Sequence, residues 1–178
     1  MQDGILTERN GAVIEVTIDR PKANAIDLAA SRRLNDVFTQ FRDDADLRVA
    51  IVTGAGDRFF SPGWDLKAAA GGEESDSDWG VGGFGGLNYP RNLNKPIIAA
   101  VHGMAYGGGC EIAVSTDFII ASDDARFGQP EAMVGLSAGG GGPVFLPRFL
   151  PPGKAMQMLM TGEPIAAQEA YRLGMVSE

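Results

Sequence analysis

The stretch that decides the fold is Val101-His102-Gly103-Met104-Ala105-Tyr106-Gly107-Gly108-Gly109-Cys110-Glu111. An apolar run, residues 96–101, leads into it, and a helical pattern leaves it. Consecutive glycines let backbone N–H groups approach a ligand without a Cβ, and at a helix start those groups carry the positive end of the helix dipole. Glu111 lies one helical turn beyond Gly108, on the same side. An anion-binding amide beside a carboxylate suggests enolate chemistry; a glycine-rich helix packed closely on a strand, with Glu111 solvated, is the alternative.

Composition limits the class of protein. With 178 residues, 44% of them hydrophobic, the chain is long enough for one globular domain, residues 1–178, with a sizeable core. A net charge of −8 without a basic cluster argues against nucleic acid as the main partner. The single cysteine, Cys110, excludes an intrachain disulfide and suits a reducing compartment, and no run approaches transmembrane length. We therefore expect a cytoplasmic protein without a membrane partner, and with one histidine we expect no metal site.

The amino-terminal part predicts a β-hairpin followed by a strand–helix–strand unit. Residues 12–18 alternate, with Ile14, Val16 and Ile18 on one face, and the Asn10-Gly11 turn predicts pairing with residues 4–9. Asp27 is placed to cap a helix that runs to about residue 44. Residues 48–53 form a short apolar run typical of a buried parallel strand. This order predicts a right-handed βαβ unit.

The rest of the chain continues the alternation of strands and helices. Residues 68–87 are acidic and glycine-rich and predict a long loop, of the kind that forms a lid or a disordered connector. A short helix is expected to end at residues 94–96, with strands at 97–101 and 117–122 and helices at 153–161 and 166–174. This alternation indicates an α/β fold. Gly54-x-Gly56 lacks the third glycine and the opening helix of a dinucleotide fingerprint, so a Rossmann site is not expected.

Four segments resemble the motifs of the crotonase family, the enoyl-CoA hydratase/isomerase superfamily, in the family's order. They are Arg20-Pro21-Lys22-Ala23-Asn24-Ala25, residues 60–67, Gly107-Gly108-Gly109-Cys110-Glu111 and Phe127-Gly128-Gln129-Pro130-Glu131. The resemblance runs from about residue 10 to residue 178. It implies a ClpP/crotonase fold of repeated ββα units and an acyl-CoA substrate. It implies no separate cofactor, because coenzyme A is part of the substrate.

The resemblance also implies site residues. By motif position, the backbone amides of Trp64 and Gly108 form an oxyanion hole for the thioester enolate, in which losing one donor typically costs about 2.7–4 kcal/mol. The residues implied to contact the substrate and its CoA portion are Lys22, Ala23, Ser61, Gly63, Trp64, Asp65, Leu66, Lys67 and Gly108. For residues 60–67, a plain glycine turn with Trp64 packed on the surface is the alternative.

Two carboxylates fit the chemistry of hydration. Adding water to a 2-enoyl thioester needs water at C3 and a proton at C2, and two acids that share a water supply both and titrate as a coupled pair. By resemblance, Glu111 activates the water and Glu131 protonates C2; for Glu131, a solvent-facing side chain after a proline turn is the alternative. Because an isomerase of the family usually keeps only the second acid, the pair favours a hydratase or dehydratase. An isomerase, another enolate-forming reaction and non-catalytic CoA binding are the alternatives.

Within the family, residues 19–27, 41–44, 59–61 and 63–70 are most similar to the carnitinyl-CoA dehydratases, which interconvert carnitinyl-CoA and crotonobetainyl-CoA. A trimethylammonium group favours aromatic faces, and the candidates are Trp64, Trp79, Phe84 and Tyr106, with ordinary packing as the alternative for each. Family members continue into a C-terminal helical segment that covers the site and helps to build trimers. We therefore expect a chain ending at Glu178 to be incomplete, and the complete protein to form a homotrimer or a dimer of trimers.

Overall fold

The computed structural model describes residues 4–89 and 92–178, which form two β-sheets with helices around them. The strands in chain order are β1 (Ile5–Asn10), β2 (Val13–Ile18), β3 (Val49–Gly54), β4 (Phe59–Ser61), β5 (Ile97–Val101), β6 (Met104–Tyr106), β7 (Phe118–Ala121), β8 (Arg126–Gly128) and β9 (Ile165–Ala166). The α-helices are α1 (Leu28–Asp43), α2 (Leu66–Ala70), α3 (Gly108–Val114), α4 (Gly142–Phe149), α5 (Pro152–Thr161) and α6 (Ala167–Arg172). Phe84–Gly86 and Pro130–Val134 form 3-10 helices. None of the helices within these residues has the length and apolarity needed to cross a membrane.

The larger sheet runs in the order β1-β2-β3-β5-β7. β1 and β2 pair antiparallel with Asn10 opposite Val13, and the other neighbours run parallel. Gly11, in the turn between them, has a φ of 60°, which glycine adopts without strain. The predicted hairpin is therefore confirmed, and so is the parallel strand predicted at residues 48–53.

Three strands of the larger sheet each lead into a strand of the smaller sheet, whose order is β4-β6-β8-β9. β3 is followed by β4 and α2, β5 by β6 and α3, and β7 by β8 and the 3-10 helix of Pro130–Val134. β4, β6 and β8 pair in parallel, so the chain leaves this sheet at the same end each time. This repetition is the ββα pattern that the resemblance implied, and the α/β fold class is confirmed.

Helix α1 buries one apolar face in the core. Asp27 caps it, because its side chain accepts a hydrogen bond from the Ala30 N–H at 2.9 Å. Leu34, Phe38 and Phe41 recur at helical spacing and are fully buried, and burying such a side chain stabilises the fold by roughly 1.5–3 kcal/mol. The predicted helix and its cap are therefore confirmed.

Residues 71–89 have little regular structure but pack closely against α1. Asn35 Nδ2 donates to the carbonyl oxygens of Trp79 and Gly83 at 2.8 and 2.9 Å, and Asn35 Oδ1 accepts from the Gly82 N–H at 2.6 Å. Residues 82–88 are buried. The predicted loop is therefore a packed wall and not a free connector. The short helix expected to end at residues 94–96 is wrong for the described residues 92–96, which form none, and Pro90 and Arg91 lie outside the described residues.

One hydrophobic cluster spans both sheets. It includes Val52 of β3, Phe60 of β4, Ile112 of α3 and Phe127 of β8, all of them buried. The sheets meet where β3 ends, because a Cβ on Gly54 would lie 2.4 Å from the carbonyl oxygen of Phe60. The turn that follows β4 begins next to this junction.

Candidate active site

Glycines form the turn between β6 and α3, and each is required by its neighbours. Gly107 has a φ of 53°, a conformation that favours glycine. A Cβ on Gly108 would lie 2.4 Å from the Phe84 ring, and one on Gly109 would lie 2.0 Å from the carbonyl oxygen of Ser61. Close packing of this helix, the alternative drawn from the sequence, is therefore real and accounts for Gly108 and Gly109. It does not exclude anion binding, because Gly108, the first residue of the helix, lines a cavity.

A second turn, after β4, lies against the first one. Ser61 Oγ donates to the carbonyl oxygen of Asn24 at 2.8 Å and accepts from the Gly63 N–H at 3.1 Å, which fixes the turn. Gly63 has a φ of 87°, and a Cβ there would lie 2.4 Å from the backbone nitrogen of Gly108. The two backbones therefore touch at Gly63 and Gly108. This contact places the amide of Trp64, the next residue, beside that of Gly108.

The N–H groups of Trp64 and Gly108 are available to a ligand. Trp64 bridges to Ile26, but the hydrogen bonds of that bridge use the Gly63 carbonyl and the Asp65 N–H, so the Trp64 N–H faces the other way. Neither amide has an acceptor among residues 4–89 and 92–178. Both residues line the same cavity. Two adjacent donors without partners are the arrangement that stabilises an oxyanion.

Glu111 is a buried carboxylate at the first turn of α3. Its side chain is held by the Gly142 N–H, which donates to Oε1 at 2.8 Å, and the residue is only 3% exposed. Burial raises its pKa to about 7, because loss of hydration disfavours the charged form. The charge of Glu131 raises the pKa further, and the N–H groups of Gly142 and Gly140 oppose the rise. The solvated position considered for Glu111 is therefore wrong.

Glu131 lies opposite, in the 3-10 helix that follows β8. It is half-buried and lines the same cavity, and burial raises its pKa above the ordinary value. The Gln129 carboxamide, with its nitrogen turned toward Glu131, donates to both carboxylate oxygens at 3.1 Å. A Cβ on Gly107 would lie 3.1 Å from Glu131 Oε1, so this carboxylate reaches the glycine turn. It does not simply face solvent.

A single cavity of about 530 Å³ contains both amides and both carboxylates. One side is an aromatic wall in which the ring centroids of Trp64 and Trp79 lie 6.0 Å apart and those of Trp79 and Phe84 lie 5.2 Å apart, both pairs edge to face. A cavity of this size with few convergent polar groups is typical of a small-molecule site. The structure therefore brings the two predicted amides and the two predicted carboxylates to one place.

Comparison with known proteins agrees with this geometry. The chain matches the family described as enoyl-CoA hydratase/isomerase over residues 8–178. This protein belongs to the enoyl-CoA hydratase/isomerase family. The carnitinyl-CoA dehydratase of Escherichia coli strain K12 is 53% identical to it over 177 residues, which is 99% of this chain and 68% of that protein.

Solved structures of family members have the same fold. The enoyl-CoA hydratase from Mycobacterium tuberculosis H37Rv is 43% identical with a TM-score of 0.90, over 99% of this chain and 68% of that one. The carnitinyl-CoA hydratase from Mycobacterium avium is 39% identical with a TM-score of 0.92, over 100% of this chain and 69% of that one. The resemblance inferred from four short motifs is therefore confirmed over nearly the whole chain.

In this family member, the residues predicted to contact CoA fall into two groups. Those that line the cavity are Trp64, Asp65, Leu66, Lys67 and Gly108. Ser61 and Gly63 are buried in the turn, where they fix the backbone and do not face the cavity. Lys22 is exposed and Ala23 half-buried in the loop before α1, and neither lines the cavity. Contacts of Lys22 and Ala23 with CoA are still a prediction.

Residues that the motifs did not assign to a role also shape the site. Asn88 and Gly140 line the cavity, Gly142 holds Glu111, and Gln129 holds Glu131. The run of glycines at residues 139–142 was the available sequence signal for two of them. Asn88 had none, because it lies in a loop without periodicity. Tyr106, a candidate for a trimethylammonium site, does not line the cavity.

Proposed function

We propose that this protein adds water across the C2=C3 bond of 2-enoyl-CoA thioesters and removes it in the reverse direction. The observation that carries the proposal is the meeting in one cavity of two amides without partners among the described residues, the buried carboxylate of Glu111 and the half-buried carboxylate of Glu131. The names of the relatives, carnitinyl-CoA dehydratase and enoyl-CoA hydratase, support it. Because hydration neither oxidises nor reduces the substrate, the reaction balances without a redox cofactor.

The amides of Trp64 and Gly108 stabilise the charge that develops on the thioester oxygen. Attack of water at C3 pushes electrons onto this oxygen and forms an enolate. The two N–H groups have no other acceptor among the described residues, so they bind the oxygen without first giving up a protein hydrogen bond. Gly63 and Gly108 hold the donors in place through backbone contact, and no flexible side chain is involved.

The two carboxylates move the protons. Glu111 takes a proton from the attacking water as the C3–O bond forms, and Glu131 delivers a proton to C2 as the enolate collapses. Burial raises the pKa of each, that of Glu111 to about 7, and two carboxyl groups that influence each other in this way titrate as a coupled pair. The proton gained by Glu111 then replaces the one lost by Glu131, which restores the starting state.

The test compares hydration of crotonyl-CoA by the wild type, Glu111→Gln and Glu131→Gln. Each substitution should lower kcat by about 100- to 10,000-fold, because it removes an acid–base group while keeping the shape of the side chain. Glu8→Gln, an exposed acid on β1, is the matched control and should retain full activity. A wild type that hydrates no enoyl-CoA would refute the proposal. If the wild type isomerised a 3-enoyl-CoA faster than it hydrated crotonyl-CoA, and Glu111→Gln kept the isomerase activity, the isomerase alternative would be selected.

We further propose that the acyl group carries a trimethylammonium, as in crotonobetainyl-CoA. The wall formed by Trp64, Trp79 and Phe84 offers aromatic surface to a cation. Glu111 and Glu131 give the same cavity negative character. The relatives named for carnitinyl-CoA support this choice of acyl group.

Trp79→Leu tests the choice of acyl group. It should lower kcat/KM for crotonobetainyl-CoA about 3- to 30-fold more than for crotonyl-CoA, because only the first substrate presents a cation to the ring. The ratio of the two values removes any general effect of the substitution on folding or CoA binding. Equal losses for both substrates would leave the hydratase proposal intact and reject the trimethylammonium substrate.

A further inference from the structure

Asn88 carries a buried amide nitrogen that the described residues do not explain. The residue is 6% exposed, and its Oδ1 lies 3.1 Å from Ser115 Oγ, whose single hydroxyl proton is shared with the carbonyl oxygen of Glu111 at 2.7 Å. Its Nδ2 has no hydrogen-bond partner within residues 4–89 and 92–178. An unpaired buried N–H group is costly, and its presence in a folded protein calls for a ligand or a water. Asn88 lines the cavity, so a water or a substrate oxygen bound there can supply this partner.

The free nitrogen faces the same space as the Glu111 carboxylate. An atom at the Cβ position of Gly140 would lie 2.3 Å from Glu111 Oε2 and 2.7 Å from Asn88 Nδ2, so these two atoms are no more than about 5 Å apart. They are not bonded directly, since Nδ2 has no partner there. Two atoms at such a separation can be bridged by one water with hydrogen bonds of about 2.8 Å to each. Glycine at position 140 keeps the gap open.

The orientation of the Asn88 carboxamide follows from its neighbours. Ser115 Oγ can pair with either end of the carboxamide, because it also donates to the Glu111 carbonyl oxygen at 2.7 Å. With Nδ2 toward Glu111, the nitrogen can donate toward the carboxylate or its water. The opposite orientation would turn a carbonyl oxygen toward carboxylate oxygens, which repel it. The structure therefore presents a donor and an acceptor that are close enough for one oxygen atom to bridge them.

We propose that Asn88 Nδ2 and Glu111 Oε2 together bind the oxygen that is added to C3 or removed from it. This inference rests on the proposed hydratase function. In hydration, the water oxygen accepts from Asn88 and donates to Glu111; the C3–O bond forms, one water proton passes to Glu111, and C2 receives a proton from Glu131. In dehydration, the same Asn88 N–H binds the departing hydroxyl oxygen while Glu111 returns the proton to it. Asn88 donates a hydrogen bond to a lone pair of this oxygen and does not itself gain or lose a proton.

Two variants of Asn88 separate this role from a purely structural one. Asn88→Leu removes both polar atoms, and Asn88→Asp keeps an oxygen for Ser115 but loses the donor. Both should lower kcat for crotonyl-CoA hydration about 10- to 100-fold with little change in KM. Measuring kcat from pH 6 to 9 distinguishes a lower maximum rate from a shift in the pH dependence of the rate. Dehydration of 3-hydroxybutyryl-CoA should fall by the same factor, because a catalyst leaves the equilibrium unchanged. Ser115→Ala should lower kcat less than Asn88→Leu does, because Nδ2 remains although it loses a neighbour that positions it.

The glycine run supplies an independent test of the water site. Gly140→Ala places a methyl group between Glu111 Oε2 and Asn88 Nδ2 and should abolish hydration while the affinity for butyryl-CoA stays within about 3-fold. Gly139→Ala is the matched control, because its Cβ would meet nothing closer than 3.9 Å, and it should stay active. Full activity of Asn88→Asp, or equal losses in Ser115→Ala and Asn88→Leu, would overturn the role of Asn88 alone. A wild type without hydratase activity would overturn the proposed function as well.

Discussion

Glu111 lies in an environment that disfavours its own charge. The carboxylate is buried, receives one N–H from Gly142 and faces the charge of Glu131. Its pKa of about 7, against an ordinary value of 4.5, means that the folded protein binds this proton more tightly than the unfolded chain does. The stability that protonation gives is therefore full at low pH and is lost as the pH rises through 7. A group that the reaction needs as a base thus destabilises the fold where it is active.

Glu111→Gln should be more stable than the wild type at pH 8 and gain much less at pH 5. Glutamine keeps an acceptor for Gly142 but carries no charge, so the gain should rise between these pH values by at most about 3 kcal/mol. Urea unfolding at both pH values measures it. Glu8→Gln, exposed on β1, should show no such pH dependence. A gain of equal size at pH 5 and pH 8 would mean that burial of the charge is not its cause.

At the scale of single residues, the sequence identified the groups with chemistry but not their supports. Glu111, Glu131, Trp64 and Gly108 belong to recognisable motifs, so their positions could be predicted. Asn88 could not, because it lies far along the chain from Glu111 and in a loop without a pattern. Ser61 was expected to contact the substrate, whereas its hydroxyl bonds the turn around it. A motif shows which residues recur together but does not show which of them face the ligand.

At the scale of elements, the site depends on two short turns that fit only as glycine. The turn after β4 contacts the turn before α3 so closely that the backbone nitrogen of Gly108 lies where a side chain on residue 63 would begin. The long elements could be predicted from the sequence by their periodicity, caps and turns, as α1 and the first hairpin show. The strands β4 and β6 did not, because each has three residues inside a glycine-rich motif and neither offers enough alternation to recognise.

Gly63→Ala should disrupt this meeting of turns. Alanine at position 63 takes on a φ of 87° and places Cβ 2.4 Å from Gly108 N, so both strain and overlap push the Trp64 and Gly108 amides apart. We expect a loss of kcat of about 100-fold or more. Gly56→Ala is the matched control, since its φ is 81° but its Cβ meets nothing within 4 Å. It should cost about 1–2 kcal/mol of stability and leave kcat unchanged. Equal losses of activity in the two variants would show that backbone strain, and not the contact with Gly108, is responsible.

At the scale of the whole molecule, the cavity joins parts of the chain that are far apart in sequence. Its walls come from the loop before α1, the packed loop of residues 71–89, the start of α3 and the segment before α4. The two sheets share one hydrophobic cluster and touch where Gly54 meets Phe60. We therefore expect that neither sheet retains its core without the other. That residues 1–178 form a single domain stays a prediction.

Unfolding should therefore be one cooperative transition. Trp64 and Trp79 report on the cavity by fluorescence, and far-UV circular dichroism reports on both sheets, so the two signals should give the same midpoint in urea. Trp79→Phe leaves Trp64 as the fluorophore and should unfold with coincident signals too. Butyryl-CoA at about 100 times its Kd should stabilise the folded state by about 2.7 kcal/mol and move both signals together, because the ligand binds only when all the walls are present. If the fluorescence midpoint alone moved, or preceded the loss of secondary structure, the cavity would open without unfolding the sheets. The residues around it would then form a separate cooperative unit instead of part of one domain.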